Sequence, residues 1–201
     1  MNANPAPQAK AALRREMIAR RDAMPATERE SIAAALAEVL AGLPAYASAR
    51  SVLATMAIGS EWNTRLFLDR ARADGKAIVL PRITAPPRHL ELHVVRDMDQ
   101  DLIPGIWNIP EPNPERCERV EIGDVDFAVV PALCVDYEGY RIGYGAGYFD
   151  RLLAPRNAST FCAVALPAAF VVESLPHEAH DQVLDLIVDE RGTRRTRGAR
   201  S

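Results

Sequence analysis

The spacing of apolar residues changes along this chain, and each change marks an element. Leu13 and Met17 share one face of a 3.6-residue period, which predicts a helix from near Ala9. Before it, Met1 to Gln8 hold two prolines and no periodicity, and residues 1–8 are expected to form a loose lead-in. Ile32, Leu36, Val39 and Leu40 form a second helical stripe, with Thr27-Glu28-Arg29-Glu30 reading as its capping box and Gly42 and Pro44 as its end. The period then shortens. Ser51 to Ile58 is a continuous apolar run suited to a buried strand, Thr64 to Asp74 has a helical pattern, and Lys76 to Leu80 is the next strand, closed by Pro81-Arg82. Strand, helix and strand with short links make a βαβ unit, which predicts a parallel sheet covered on both faces. Ligands of such sheets sit beyond the carboxyl ends of the strands, and Glu61 follows one such end and Arg82 another.

Further along, His89 to Val95 alternates like a half-exposed strand, while Phe127 to Val130 and Thr160 to Leu166 read as buried strands. Val183 to Val188 reads as the last strand. Arg191 to Ser201 is rich in Arg, Gly and Thr without periodicity, which predicts a disordered basic tail over 191–201. The chain has no internal repeat.

At 201 residues, with 48% hydrophobic and 25% charged residues, the chain is expected to fold as a single domain, 1–201. The net charge of -3 argues against a general nucleic-acid binder. Cys117, Cys134 and Cys162 are odd in number and lack paired spacing, and the first ten residues have no apolar core of a secretion signal, so a reducing cytoplasm is expected. No apolar run approaches the roughly 20 residues that a membrane helix needs. His89 and His93 share a strand face, but nothing else with ligand spacing accompanies them, and a metal pair is rejected there. Cys134 and Cys162 lie in apolar runs and read as small core residues.

The densest chemistry lies in Arg141-Ile142-Gly143-Tyr144-Gly145-Ala146-Gly147-Tyr148-Phe149-Asp150-Arg151. Glycine at every second position lets the backbone adopt positive φ and point several N–H groups into one concavity, an arrangement that binds phosphate. The helix expected from Tyr148 to Leu153 follows directly. The loop is neither a Walker A loop nor a dinucleotide fingerprint. Arg141 enters it and Asp150 leaves it, which suits an anion and its metal counter-ion. Elsewhere, Lys10 and Arg14 stand at i and i+4 with no carboxylate three or four residues from either, a repulsion costing a helix about 0.2–0.5 kcal/mol. On pattern alone they are a solvated basic face.

The run RIGYGAGYFDRLL, with Val129-Val130-Pro131-Ala132-Leu133 and Asp136-Tyr137-Glu138-Gly139-Tyr140 before it, resembles the signature of the 5-formyltetrahydrofolate cyclo-ligase family. Further elements follow the family's order from Lys10 to about Glu190: Lys10-x-x-Leu-Arg14, Glu61-x-x-Thr64, Leu80-Pro81-Arg82, Ile106 to Pro112, and Leu175-Pro176 followed by His180-Asp181. Asn108 stands where the family usually has Gly and Phe170 where it commonly has Gln; Asn tolerates positive φ, whereas Phe170 puts one contact in doubt. The resemblance implies a three-layer α/β/α sandwich around a mostly parallel sheet and the ATP- and Mg²⁺-dependent cyclisation of 5-formyltetrahydrofolate to 5,10-methenyltetrahydrofolate. It further implies Lys10, Arg14 and 141–149 as the ATP site, and Met56, Glu61, Arg82, Tyr144, Gly145, Gly147 and Tyr148 as the folate site. Asp150 and Asp181 are then the magnesium carboxylates, and Arg141, Tyr148 and Asp150 the catalytic groups. Partners are expected to be small molecules only, without nucleic acid or membrane, and the protein a monomer. The alternatives are a divergent member acting on another substrate and a non-catalytic folate-binding protein.

Overall fold

A computed structural model describes residues 6–199. In chain order these form α1 (Ala6–Asp22), α2 (Ala26–Ala41), α3 (Pro44–Ser48), β1 (Ser51–Leu53), α4 (Arg65–Ala73), β2 (Ala77–Ile83), β3 (Leu90–Val95), β4 (Leu102–Pro104) and β5 (Pro110–Pro112). There follow β6 (Arg119–Val120), β7 (Phe127–Val129), β8 (Cys134–Asp136), β9 (Arg141–Ile142), α5 (Tyr148–Leu153), β10 (Phe161–Ala165), β11 (Val171–Val172), β12 (Leu186–Asp189) and β13 (Gly192–Arg195). The main sheet has eight strands in the order β13-β12-β10-β7-β1-β2-β3-β6. Its centre, β12-β10-β7-β1-β2, is parallel, and both margins are antiparallel.

Alternation along the central strands divides the core in two. Val52, Ile78, Phe127, Ala163 and Val188 face a cluster completed by α2, α3 and α4, while their neighbours Leu53, Val79, Ala128, Val164 and Ile187 face one completed by Met17 of α1 and Leu153 of α5. A strand buried on both faces reads as a continuous apolar run, which is why these strands are legible without a two-residue period. The expected α/β sandwich with a mostly parallel sheet is therefore present. Its second face is shared between helices and a small sheet, β11-β8-β9, whose residues Cys134, Val135 and Ile142 join that cluster.

Several boundaries differ from expectation. Helix α1 begins at Ala6 rather than near Ala9, since Pro7 in a first turn removes only an N–H that has no helical partner; residues 1–5 of the expected loose lead lie outside the described residues. Helix α2 begins at Ala26 with Pro25 at its N-cap and no side-chain cap, so Thr27 and Glu28 sit inside the first turn and make no capping box. Strand β1 stops at Leu53; Ala54 still donates to the Val79 carbonyl of β2, and Thr55 to Ile58 do not extend the sheet. Strand β2 continues through Pro81 and Arg82 to Ile83, where an ending was expected. Proline is tolerated because β1 pairs no further than Val79; past that point β2 bonds only β3, in which Pro81 pairs with Leu92. The histidine strand starts at Leu90, leaving His89 exposed in the preceding loop and His93 buried with Nδ1 3.1 Å from the Cys117 carbonyl.

The tail is the largest correction. Residues 192–195 form β13, antiparallel to β12, and Thr196 is buried, donating its hydroxyl to the Leu184 carbonyl at 2.5 Å. Arg197 and Gly198 continue with backbone bonds to the Tyr137 and Glu138 carbonyls. An edge strand held by backbone pairing needs no apolar period, so the pattern that predicted disorder carried no information about it. Among the described residues no helix is long and apolar enough to cross a membrane.

Candidate active site

Where β1, β7 and β9 end, their following segments open a cleft of about 690 Å³. Lys10 and Arg14 of α1, Thr55, Met56 and Glu61 after β1, Pro131 after β7, the whole of 141–150, and Glu178, His180 and Asp181 line it. Its far wall is apolar, built by β2, β3 and the β4–β5 hairpin with Leu80, Ile83, Leu90, Trp107 and Ile109. One end of the cleft is thus rich in charged groups, and the other is apolar except for Glu111.

The glycine loop leaves β9 and enters α5, whose span Tyr148–Leu153 agrees with the sequence reading. Positive φ is confined to Gly145 (102°) and Gly147 (64°), the latter being the left-handed N-cap of α5; Gly143 keeps an ordinary backbone. The absent side chain of Gly145 serves packing as well. A Cβ there would lie 3.1 Å from the Arg14 guanidinium carbon, and Arg14 Nε donates to the Gly143 carbonyl at 2.9 Å. Helix α1 is thereby locked onto the loop.

Lys10 is not a solvated cation. It is 6% exposed, and its ammonium donates to Asp181 at 2.6 Å and to Glu178 at 3.0 Å. Burial opposes its charge, but the hydrogen bonds to these carboxylates outweigh that and hold its pKa above the usual value. The same bond holds Asp181 below the usual carboxylate value despite its own desolvation. Arg141, whose side chain is 4% exposed, pairs with Asp150 at 3.0 Å and donates to the Gln182 carbonyl at 2.9 Å. Burial lowers its pKa, and the Asp150 carboxylate opposes that. Asp150 also accepts from the Gln182 N–H, so the two ends of the glycine loop are bolted to one segment.

Glu61 sits between Ser60 and Trp62, ahead of α4 rather than in its first turn. Its carboxylate accepts from the Tyr144 hydroxyl at 2.5 Å and from the Ile58 N–H at 2.9 Å. Desolvation and the Glu61 charge push the Tyr144 phenol up to about 12. Arg21 of α1 closes this group, donating to the Tyr144 oxygen at 3.0 Å and to Ser60 at 2.9 Å. Arg21 was not legible beforehand, since nothing in the period of α1 separates it from Arg20.

The structure gathers every sequence-predicted site residue into the cleft except Arg82. The guanidinium of Arg82 donates to the Pro112 carbonyl at 3.1 Å and lies 3.9 Å from Glu111, behind the wall formed by its neighbours Pro81 and Ile83. Trp107 and Glu111 were missed as site residues, although Trp107 is 66% exposed over the cleft and both Trp107 and Asn108 have φ of 59°. Asn108 thus adopts the conformation that its chemistry allows. Phe170 is buried under Arg20, with the guanidinium carbon 5.4 Å from its ring, and does not line the cleft. Among the described residues no three His, Cys, Asp or Glu side chains form a metal cage.

Residues 6–190 match the family model described as the 5-formyltetrahydrofolate cyclo-ligase family. A 5-formyltetrahydrofolate cyclo-ligase of Mycolicibacterium smegmatis is 31% identical over 189 residues, covering 92% of this chain and 96% of its own length. The mouse protein of that name is 24% identical over 190 residues, covering 90% and 94%. The solved structure of an Aquifex aeolicus 5,10-methenyltetrahydrofolate synthetase superposes with a TM-score of 0.83 at 30% identity, covering 96% of this chain and 95% of that one.

Proposed function

The chain belongs to the 5-formyltetrahydrofolate cyclo-ligase family and is a 5-formyltetrahydrofolate cyclo-ligase, and from that premise we propose that the cleft is its active site, with ATP at the charged end and the folate at the apolar end. The family implies ATP use. The observation that carries the assignment is the convergence of Lys10, Arg14, Arg141 and the 143–147 backbone on one end of a cleft whose other wall is Leu80, Ile83, Leu90 and Trp107.

A formyl oxygen is a poor leaving group, and ATP makes it a better one. The γ-phosphoryl group passes to the formyl oxygen as the bond to ADP breaks; the second folate nitrogen then attacks the activated carbon, and phosphate departs with that oxygen. Such transfer needs positioning and charge neutralisation more than covalent help from the protein. Lys10, Arg14 and the loop N–H groups hold the phosphates, while Arg141 answers the charge that develops at the transferred group. Tyr144, fixed by Glu61 and Arg21, and Tyr148 bound the folate on the loop side, and Met56 bounds it from the end of β1.

Asp150 and Asp181 fit a magnesium ion carried in by the nucleotide better than a resident one. Mg²⁺ commonly takes one or two carboxylates, completing its shell with phosphates and water; both acids lie in the cleft, and among the described residues no group of three His, Cys, Asp or Glu side chains is arranged to hold a metal by itself. Bound there, it would neutralise phosphate charge. Incubating the protein with 5-formyltetrahydrofolate, ATP and Mg²⁺ and following the near-ultraviolet absorbance of the methenyl product tests the reading. Product only when all three are present is the expected outcome; product without nucleotide would remove ATP from the charged end.

A further inference from the structure

The apolar end of the cleft contains one charged group that the chemistry above does not use. Glu111, on β5 opposite Ile103 of β4, is 3% exposed, and its Oε2 has no hydrogen-bond partner. Among the described residues it is the only ionisable lining residue that β2, β3 and the β4–β5 hairpin supply. Its neighbours there are Leu80, Ile83, Leu90, Trp107 and Ile109. A buried acid is usually explained by an ion pair, but the nearest cation makes only a long one here, without a hydrogen bond. Arg82 Nη1 stands 3.9 Å away, outside hydrogen-bond range, and spends its N–H on the Pro112 carbonyl. Desolvation accordingly raises the pKa of Glu111, with the Ile83 and Ile106 amides and the Arg82 charge only partly opposing it. A buried oxygen left unanswered in a native protein calls for an explanation, and a ligand is one.

Gly105 provides the space. A Cβ at that residue would fall 2.5 Å from Oε2 and 2.2 Å from the carboxyl carbon, so the acid occupies its place only because residue 105 has no side chain. The fold therefore keeps a carboxyl in the apolar wall at two costs, a desolvated charge and an obligatory glycine.

We propose that Glu111 selects the pterin ring of the folate, its carboxyl accepting hydrogen bonds from the 2-amino group and the adjacent N3–H along one edge of that heterocycle. Two parallel N–H donors on a planar edge match a carboxylate as a guanidinium does, and the surrounding apolar wall suits the flat ring that carries them. Arg82 then acts behind Glu111, favouring its charged form from outside the cleft. The proposal rests on the assignment of the apolar end to folate.

The test compares equilibrium binding of 5-formyltetrahydrofolate and its 2-desamino analogue to the wild type, Glu111→Gln and Glu111→Leu, with ATP binding as the control for an intact fold. The wild type is expected to favour the amino compound by roughly 10- to 100-fold, as loss of a charge-assisted bond implies. Glu111→Leu should bind both compounds alike, Glu111→Gln should retain a reduced preference, and ATP binding should not change. Gly105→Ala, which displaces the carboxyl without altering it, should also lose the preference. This second variant keeps the proposal open to failure if Glu111→Leu does not fold. A wild type without preference, or variants that keep the full preference while binding folate, would overturn the proposal and leave the folate assignment standing. Failure of the wild type to bind either compound would instead remove the folate assignment, and the proposal with it.

Discussion

The two ends of the cleft are built on opposite electrostatic plans. At the glycine loop every cation already has an internal answer: Lys10 has Asp181 and Glu178, Arg141 has Asp150, and Arg14 has the Gly143 carbonyl. At the β4–β5 hairpin a single acid is held with one oxygen unanswered and its nearest cation 3.9 Å away. The first plan positions charges rigidly before a triphosphate arrives, which is what phosphoryl transfer requires. The second stores an unsatisfied group, which makes binding selective for a ligand that satisfies it. Function thus imposes more on stability at one end than at the other, and substitutions should separate the two.

Asp150→Asn should have the largest effect. It removes the counter-charge of Arg141, a guanidinium with a 4% exposed side chain, so stability should fall by about 3 kcal/mol along with a loss of turnover of roughly a hundredfold or more. Chemical denaturation and steady-state rates at varied Mg²⁺ check both. Unaltered stability would show that the charged end is not prepaired and would break the contrast.

Lys10→Ala comes next. From the sequence alone this change would relieve repulsion with Arg14. Because Lys10 joins two carboxylates under cover, the structure predicts a lower melting temperature and a KM for ATP raised by roughly one to two decades. The pair also fixes a pH dependence. The depressed pKa of Asp181 contributes stability that is present above its ordinary value of 3.8 and lost as pH falls below it. The raised pKa of Lys10 contributes stability that is complete below 10.5 and lost as pH climbs past it. The gap in melting temperature between wild type and Asp181→Asn should therefore be widest between about pH 5 and 10 and should close on the acid side. A gap that persists below pH 3 would mean that Asp181 acts through packing alone.

How much was legible follows from how each part is held. The glycine loop was readable because its chemistry is contiguous: Arg141, the glycines and Asp150 lie within ten residues and carry their own turn and charge signals. The partners of Lys10 were not, since Glu178 and Asp181 are 168 and 171 residues away and arrive only by folding. The run Ala54 to Ile58 read as strand because it is largely apolar, but three of its residues, Thr55, Met56 and Ile58, line the cleft rather than extending the sheet. Arg82 was misplaced because its guanidinium is drawn to the Pro112 carbonyl, a partner 30 residues away that no local pattern reveals. Glu111 left no periodic trace; its sign was an acid between two prolines in a hairpin with no other ionisable residue.

The smallest predicted effect tests the region outside both ends. Truncation after Glu190 removes β13 and the buried Thr196, and should lower the melting temperature by roughly 5 °C while leaving both Michaelis constants unchanged. No thermal change would return residues 191–199 to the disordered tail that their composition predicts.

The central claim is that one cleft holds two substrates at ends of different character, and equilibrium binding of ATP and of 5-formyltetrahydrofolate, each measured separately on wild type, Arg14→Ala and Glu61→Gln, tests it most directly. A crossed pattern is predicted, in which Arg14→Ala weakens ATP by roughly one to two decades and folate by less than about twofold, and Glu61→Gln does the reverse. If both substitutions weaken both ligands alike, the two ends are not separate sites and the account fails.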